Sequence, residues 1–167
     1  MLEGIKTKTL LRRFDERGSF TEIMRKDWKD ILEEDGFAQT NLSITYPAII
    51  RAWHKHLKGQ IDYFICLKGT IKICAYDDET RELGEIISAG DDPKIVKVPG
   101  HYWHGFGAVG NEPAWLIYFV NRLYDYANPD EERRPWNDQT IIPLSIDGKK
   151  DDPRVGKPWN WLAPPHK

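Results

Sequence analysis

The sequence predicts one all-β domain, a sandwich or barrel carrying one short N-terminal helix and an extended C-terminal tail. Three observations support this. Runs rich in β-branched and aromatic residues recur at short intervals between Pro, Gly, Asn and Asp clusters. Only one segment has a helical apolar period. A chain of 167 residues that is 40% hydrophobic supplies one packed core, so residues 1–167 are read as a single domain, with its core over about 14–138 and its tail over 143–167.

The helix is expected over Met24–Glu34, where Met24, Trp28, Ile31 and Leu32 fall at i, i+4, i+7 and i+8. Strands are expected at Ala38–Tyr46, Ile49–His56, Lys94–Val98, His104–Val109 and Ala114–Asn121. The run Asp62–Asp77 reads as a hairpin about Lys68-Gly69. In that pairing Asp62, Phe64, Cys66, Ile71, Ile73 and Ala75 share an inward face while Cys74 lies on the other, so the two cysteines are expected to be free thiols. Asp62 then sits on an apolar face, where a carboxylate needs a partner; Lys55 and Lys58 are the nearby cations. A further helical turn is expected at Pro129, with Asn128 as its N-cap. The proline-rich tail should pack through Trp159 and Trp161.

Charge excludes several functions. Lys and Arg number 24 against 26 Asp and Glu, a net charge of −2, so no field draws the chain to nucleic acid or anionic lipid. No apolar run approaches the roughly 20 residues of a membrane helix, and the first residues lack a signal-like apolar stretch, so a cytoplasmic location is expected. Seven Trp, seven Tyr and six Phe suggest a lined pocket as well as a core.

The histidines refine this. His54 and His56 in RAWHKH project from one strand face, which on strict alternation also carries Ala52 and Ile50. His101 and His104 stand in PGHYWHGF, and His166 is a tail residue. The order H-x-H, Asp62, Gly69 and a later P-G-x-x-x-H resembles the two motifs of the cupin superfamily, whose metal-binding members converge two His, an acid and a later His inside a jelly roll. Taken singly, each histidine is as well read as a satisfied polar residue.

Six separated blocks add a narrower resemblance. FDERGSFTEI, AQTNLSIT, RAWHKH, WHGF, LIYFV and YANPDEERRPWND, spanning Phe14–Asp138, resemble the dTDP-4-dehydrorhamnose 3,5-epimerase family in the same order. This resemblance implies a homodimeric jelly roll without a required metal that acts on a nucleotide-linked 4-keto-6-deoxyhexose. It implies His54 as general base and Tyr118 as the acid on the opposite face. Arg17, Phe20 and Glu22 take nucleotide-holding positions, with their segment reaching across the dimer. Gln39, Asn41 and Arg51 match the sugar and diphosphate pocket, and His104 its histidine. The residues suit these roles: Gln39, Asn41 and Ser43 give one strand a polar face, and Arg forks bind two phosphate oxygens at once. Without the resemblance, Tyr118 reads as core, Arg17 as a turn charge and Glu22 as a solvated residue.

Asp62 departs from the pattern, standing where the family has a lysine beside the enolate oxygen; loss of one such donor typically costs about 10²–10³ in rate. The family's downstream base-orienting Asp is also unmatched, leaving Asp147, Asp151 and Asp152 without assignment. Two repairs follow. Asp62 orients His54 or His56, with catalysis independent of any cofactor, or His54, His56, Asp62 and His104 bind one divalent metal ion whose Lewis acidity replaces the lysine. The other functions left open are a metal-dependent cupin isomerase or oxygenase on another small substrate and a non-catalytic sugar-nucleotide binder.

Overall fold

Segments that are apolar on alternate residues each have one face to bury, and facing sheets bury those faces against each other. The computed structural model describes residues 2–32 and 36–163. In chain order the elements are β1 (Lys6–Thr9), β2 (Arg12–Asp15), β3 (Gly18–Thr21), α1 (Lys29–Leu32), β4 (Gln39–Thr45), β5 (Ile50–Lys55), β6 (Ile61–Lys68), β7 (Thr70–Tyr76), β8 (Glu82–Ala89), β9 (Lys94–Pro99), β10 (Trp103–Val109), β11 (Ala114–Val120), β12 (Glu132–Arg133) and β13 (Ser145–Ile146). One sheet runs β1-β9-β6-β11-β4, the other β12-β5-β10-β7-β8-β13, and β2 pairs only with β3. The predicted all-β jelly roll is present as two open sheets face to face.

Three apolar layers result. Phe64, Cys66, Ile71, Ile73, Ala75, Val96, Val98 and Leu116 fill the space between the sheets. Leu10, Met24, Trp28, Ile31 and Leu32 cover the far face of the first sheet against Tyr63, Ile65 and Phe119. On the far face of the second sheet, Ile141, Ile146, Trp159 and Trp161 pack on Trp53, Cys74, Tyr76 and Trp103. The tail therefore packs through its tryptophans, as predicted. Among the described residues no helix is long and apolar enough to cross a membrane.

The hairpin prediction is corrected. β6 pairs with β9 and β11, whereas β7 pairs with β10 and β8, so Lys68-Gly69 turns the chain from one sheet to the other. Gly69 makes this corner with φ 72°, and a Cβ there would lie 2.9 Å from the Pro113 carbonyl oxygen. The predicted inward face survives because the strands now oppose each other across the core. Cys66 and Cys74 are buried free thiols in different layers.

Both helix predictions also change. Among the described residues only Lys29–Leu32 is helical, and Arg25 bonds both Asp27 and Glu22 in the segment before it. The predicted helix end lies outside the described residues, as does His166. No helical turn forms at Pro129; Glu132 and Arg133 instead pair with Lys55 and His54 at the edge of β5. An open strand edge presents unpaired backbone groups, and this segment satisfies them.

Gly105 is where β10 and β5 approach most closely: a Cβ would fall 2.3 Å from Ala52 Cβ and 2.6 Å from the Arg51 carbonyl oxygen. Gly105→Ala should therefore destabilise the protein by about 1–3 kcal/mol in denaturant unfolding. Gly36→Ala, at a site with nothing within 4 Å of the added Cβ, should stay within about 0.5 kcal/mol. Equal stabilities would contradict this packing.

Candidate active site

A pocket of about 780 Å³ opens between the sheets, a size that suits a small organic ligand. The first sheet contributes Gln39, Asn41 and Ser43 from β4, Asp62 and Phe64 from β6, and Tyr118 from β11. The second contributes Arg51 and His54 from β5 and Phe106 from β10. His56, Gln60, Tyr124, Tyr126, Glu131 and Arg133 complete the wall and mouth.

The β4 polar face forms as its alternation requires. Gln39 Nε2 donates to Asn41 Oδ1 at 2.8 Å, and Gln39 Oε1 accepts from the Tyr124 amide at 2.9 Å. β5 behaves differently. His104 pairs with His54 but Phe106 pairs with Arg51, so three residues of β5 span two of β10. This bulge puts both Arg51 and His54 on the pocket wall; Ile50 and Ala52, expected on the His54 face, line the pocket too and also pack against the outer layer.

Asp62 is buried at 2% exposure and is the hub of the site. His104 Nε2 donates to its Oδ2 at 2.8 Å, Gln60 Nε2 donates to its Oδ1 at 2.9 Å, and His56 Nε2 stands 3.5 Å from Oδ2. Burial opposes the Asp62 charge, but the hydrogen bonds from His104 and His56 overcome it and hold the carboxyl well below the usual range. His104 also bonds the Tyr102 carbonyl through Nδ1 at 2.8 Å, so both of its ring nitrogens face oxygen atoms. His56 donates from Nδ1 to the Asp130 carbonyl at 2.5 Å. Its Nε2 lies 3.1 Å from the Gln60 amide, so it accepts from Gln60 when neutral and turns to Asp62 when protonated. Burial lowers the His56 pKa, yet the hydrogen bond and charge of Asp62 raise it further, leaving it above the ordinary value.

His54 has the opposite character. Its ring centroid lies 4.3 Å from that of His104, and burial followed by the His104 charge pushes its pKa well below 6.5. Across the pocket, burial and the Asp62 charge push the Tyr118 phenol above 10. At neutral pH the second sheet therefore offers an unprotonated imidazole and the first a protonated phenol.

Several sequence expectations are settled by position. His54, Asp62, Tyr118, Gln39, Asn41 and Arg51 line one pocket, and His104, fully buried, joins it through Asp62. Asp62 bonds His104 and meets His56, the second of its two expected partners, while no hydrogen bond to His54 is formed. Lys55 pairs instead with Glu132 and Lys58 with the Asn128 carbonyl. Arg17, Phe20 and Glu22 do not reach the pocket of their own chain: Arg17 bonds Asp15, Phe20 is exposed, and Glu22 bonds Arg25. Asp147 and Asp152 lie by the second sheet's outer layer, bonding the Glu85 amide and Arg154. Exposed His101 packs beside Tyr102.

Gln60 and Arg133 were missed by sequence reasoning, although a signal existed for Gln60, which shares the Asp62 face by alternation. Gly100 was seen only as a motif letter. Its amide donates to the Gln60 carbonyl and its carbonyl accepts from the His56 amide, and a Cβ there would come within 2.3 Å of that Gln60 oxygen.

Facing jelly-roll sheets with a histidine-lined pocket between them are the architecture of a cupin. Residues 13–132 match the model of the polysaccharide biosynthesis C-terminal domain family. The chain is 41% identical over 141 residues to the probable low-salt glycan biosynthesis epimerase Agl13 of Haloferax volcanii, covering 81% of this chain and 89% of that one. It is 36% identical to the spore coat polysaccharide biosynthesis protein SpsL of Bacillus subtilis, covering 84% and 94%. Its fold matches that of dTDP-6-deoxy-D-glucose-3,5-epimerase RmlC from Legionella pneumophila in complex with dTDP-4-keto-L-rhamnose, with a TM-score of 0.73, 20% identity and coverage of 89% and 86%. The chain belongs to the polysaccharide biosynthesis C-terminal domain family.

Removing the hub should be costly. Asp62→Ala leaves paired imidazoles buried without their counter-charge, and breaking a buried pair costs about 3–5 kcal/mol, read by denaturant unfolding at neutral pH. Because the folded Asp62 pKa is lowered, its contribution is present above the ordinary carboxylate range and lost as pH falls through the folded value. The gap between wild type and variant should therefore narrow in strong acid. A gap under about 1 kcal/mol at neutral pH, smaller than that range, would contradict the hub.

Proposed function

We propose that this protein is an isomerase that epimerises a nucleotide-linked 4-keto-6-deoxyhexose by removing a proton next to the ketone and returning one from the other side. The observation that carries this reading is the pairing of neutral His54 with protonated Tyr118 on facing walls of one pocket. The relative from Haloferax, named a probable glycan biosynthesis epimerase, supports the same reaction type.

In the proposed mechanism the C4 ketone acidifies the hydrogens at C3 and C5, and His54 takes one as general base. Tyr118 returns a proton to the opposite face. Asp62 holds the second-sheet imidazoles in register and draws positive charge onto His104 and His56, close to where the family's lysine stands. Gln39 and Asn41 hold the sugar, and Arg51 with Arg133 meets the diphosphate through guanidinium forks. Arg17, Phe20 and Glu22 serve the nucleotide in the second subunit of a homodimer, which accords with a β2–β3 hairpin that leaves Phe14 and Phe20 exposed. The same reading places the enzyme in the cytoplasm.

A second reading is favoured by one observation. His54, His56, Asp62 and His104 each bring a ligand atom within 4.8 Å of the others. His56 and His104 also bond backbone carbonyls through Nδ1, the arrangement that aims Nε2 at a cation. The donor set fits a divalent ion, which would supply Lewis acidity at the ketone oxygen. His56→Ala decides this through metal content: one tightly held ion per chain, lost in the variant, supports the metal, and full activity of metal-free protein contradicts it.

Incubation with dTDP-4-keto-6-deoxyglucose in D₂O tests the main reading. Deuterium should appear at C3 or C5, and His54→Ala should slow exchange by about 10²–10⁴. The acid limb of kcat/KM should fall below the ordinary imidazole value of about 6.5, because the lowered His54 pKa keeps the base unprotonated there. No exchange with or without added metal contradicts the proposal, and binding of dTDP without exchange would identify a non-catalytic binder.

A further inference from the structure

Three segments that converge on the pocket are joined on its outside by one exposed carboxylate. Asp78 lies just beyond the end of β7 and does not line the pocket. Its carboxylate accepts two bonds from Arg134, at 2.9 and 2.6 Å, and a third from Trp103 Nε1 at 2.7 Å. The Arg134 guanidinium carbon stands 4.1 Å from the centroid of the Trp103 ring, and the ammonium of Lys55 stands 4.8 Å from it. The Arg134 backbone exchanges both of its hydrogen bonds with Trp53, each at 3.0 Å. Three members of this clamp are chain neighbours of site residues, Trp53 preceding His54, Trp103 preceding His104 and Arg134 following Arg133, and Trp53 and Arg134 also reach the pocket wall.

Neighbouring residues on a strand point to opposite faces, so a side chain gripped outside fixes the direction of the next one inside. β5 needs this more than the other strands of its sheet. It bulges at the residues that carry the site, and its outer neighbour β12 is only two residues long. The Arg134–Asp78 fork is a planar bidentate pair, which restrains orientation as well as distance.

We infer that Asp78 is a positioning residue that acts through Arg134 and Trp103 to hold His54, His104 and Arg133 in register from the reverse side of the sheet. This rests on the catalytic reading above only for its kinetic consequence. The clamp leaves the identity of the reacting groups unchanged and sets their alignment, where a displacement of about 1 Å can cost on the order of 10²-fold in rate.

Asp78→Ala and Trp103→Phe test it, the second deleting one N–H donor while keeping a ring under Arg134. Asp78→Ala should melt within a few degrees of wild type, since the fork is partly exposed and such pairs contribute little to stability, while Trp103→Phe, which trims a buried ring, is assayed where it is fully folded. Asp78→Ala should lower kcat at least tenfold with KM changed less than about threefold, Trp103→Phe should fall between it and wild type, and Asp78→Glu should recover part of the loss. In ¹⁵N-histidine spectra the His54 and His104 ring signals should move in Asp78→Ala, while those of exposed His101 stay in place. Unmoved ring signals together with wild-type kcat would overturn the inference, as would a loss of thermal stability with neither changed. If wild type itself exchanges no deuterium the epimerase reading fails, and the ring signals alone decide the clamp.

Discussion

A single carboxylate, buried between two sheets, sets the terms for everything around it. Asp62 has almost no contact with water, and an isolated ion in such a place costs several kcal/mol. The chain meets that cost with His104, Gln60 and His56. Those partners carry requirements of their own: His104 needs the Tyr102 carbonyl, His56 needs the Asp130 carbonyl, and the Gln60 and His56 backbones need a glycine at position 100. Segments far apart in sequence are thereby drawn to one point. His54, stacked beside this charged group without a bond to Asp62, is left neutral.

The two-sheet architecture turns that local chemistry into an asymmetric pocket. His54 stands on the bulged β5 of one sheet and Tyr118 on β11 of the other, and their environments move their pKa values apart. The polar face of β4 lies beside Tyr118 through the β11 pairing, so Gln39, Asn41 and the phenol belong to one sheet surface. The outer layers act as braces. The tail tryptophans cover the back of β5, with Trp161 and Trp53 ring centroids 4.8 Å apart, and the N-terminal segment covers the first sheet.

Local pattern revealed much of this and long-range pairing did not. The strands at 39–45, 50–55, 94–99, 103–109 and 114–120 follow from alternation and turn residues, as does the polar face of Gln39, Asn41 and Ser43. The inward parity from Asp62 to Ala75 was legible, yet the strands carrying it belong to different sheets; sequence alternation shows which side of a strand is apolar and not which strand lies beside it. For the same reason Asp62 could be marked as needing a partner while its bond to His104, across 42 positions, stayed hidden. The β5 bulge left no mark on the residues. Arg133 was masked by acidic neighbours that read as a helix start, and its strand forms only because the β5 edge awaits a partner.

The central claim is electrostatic: the cluster that one buried carboxylate gathers leaves His54 beside it a neutral imidazole. A ¹⁵N-histidine NMR titration of the intact protein measures it directly. The account predicts that the His54 ring remains neutral at pH 6.5 and protonates only well below it. A His54 ring that protonates at or above pH 6.5 would contradict it.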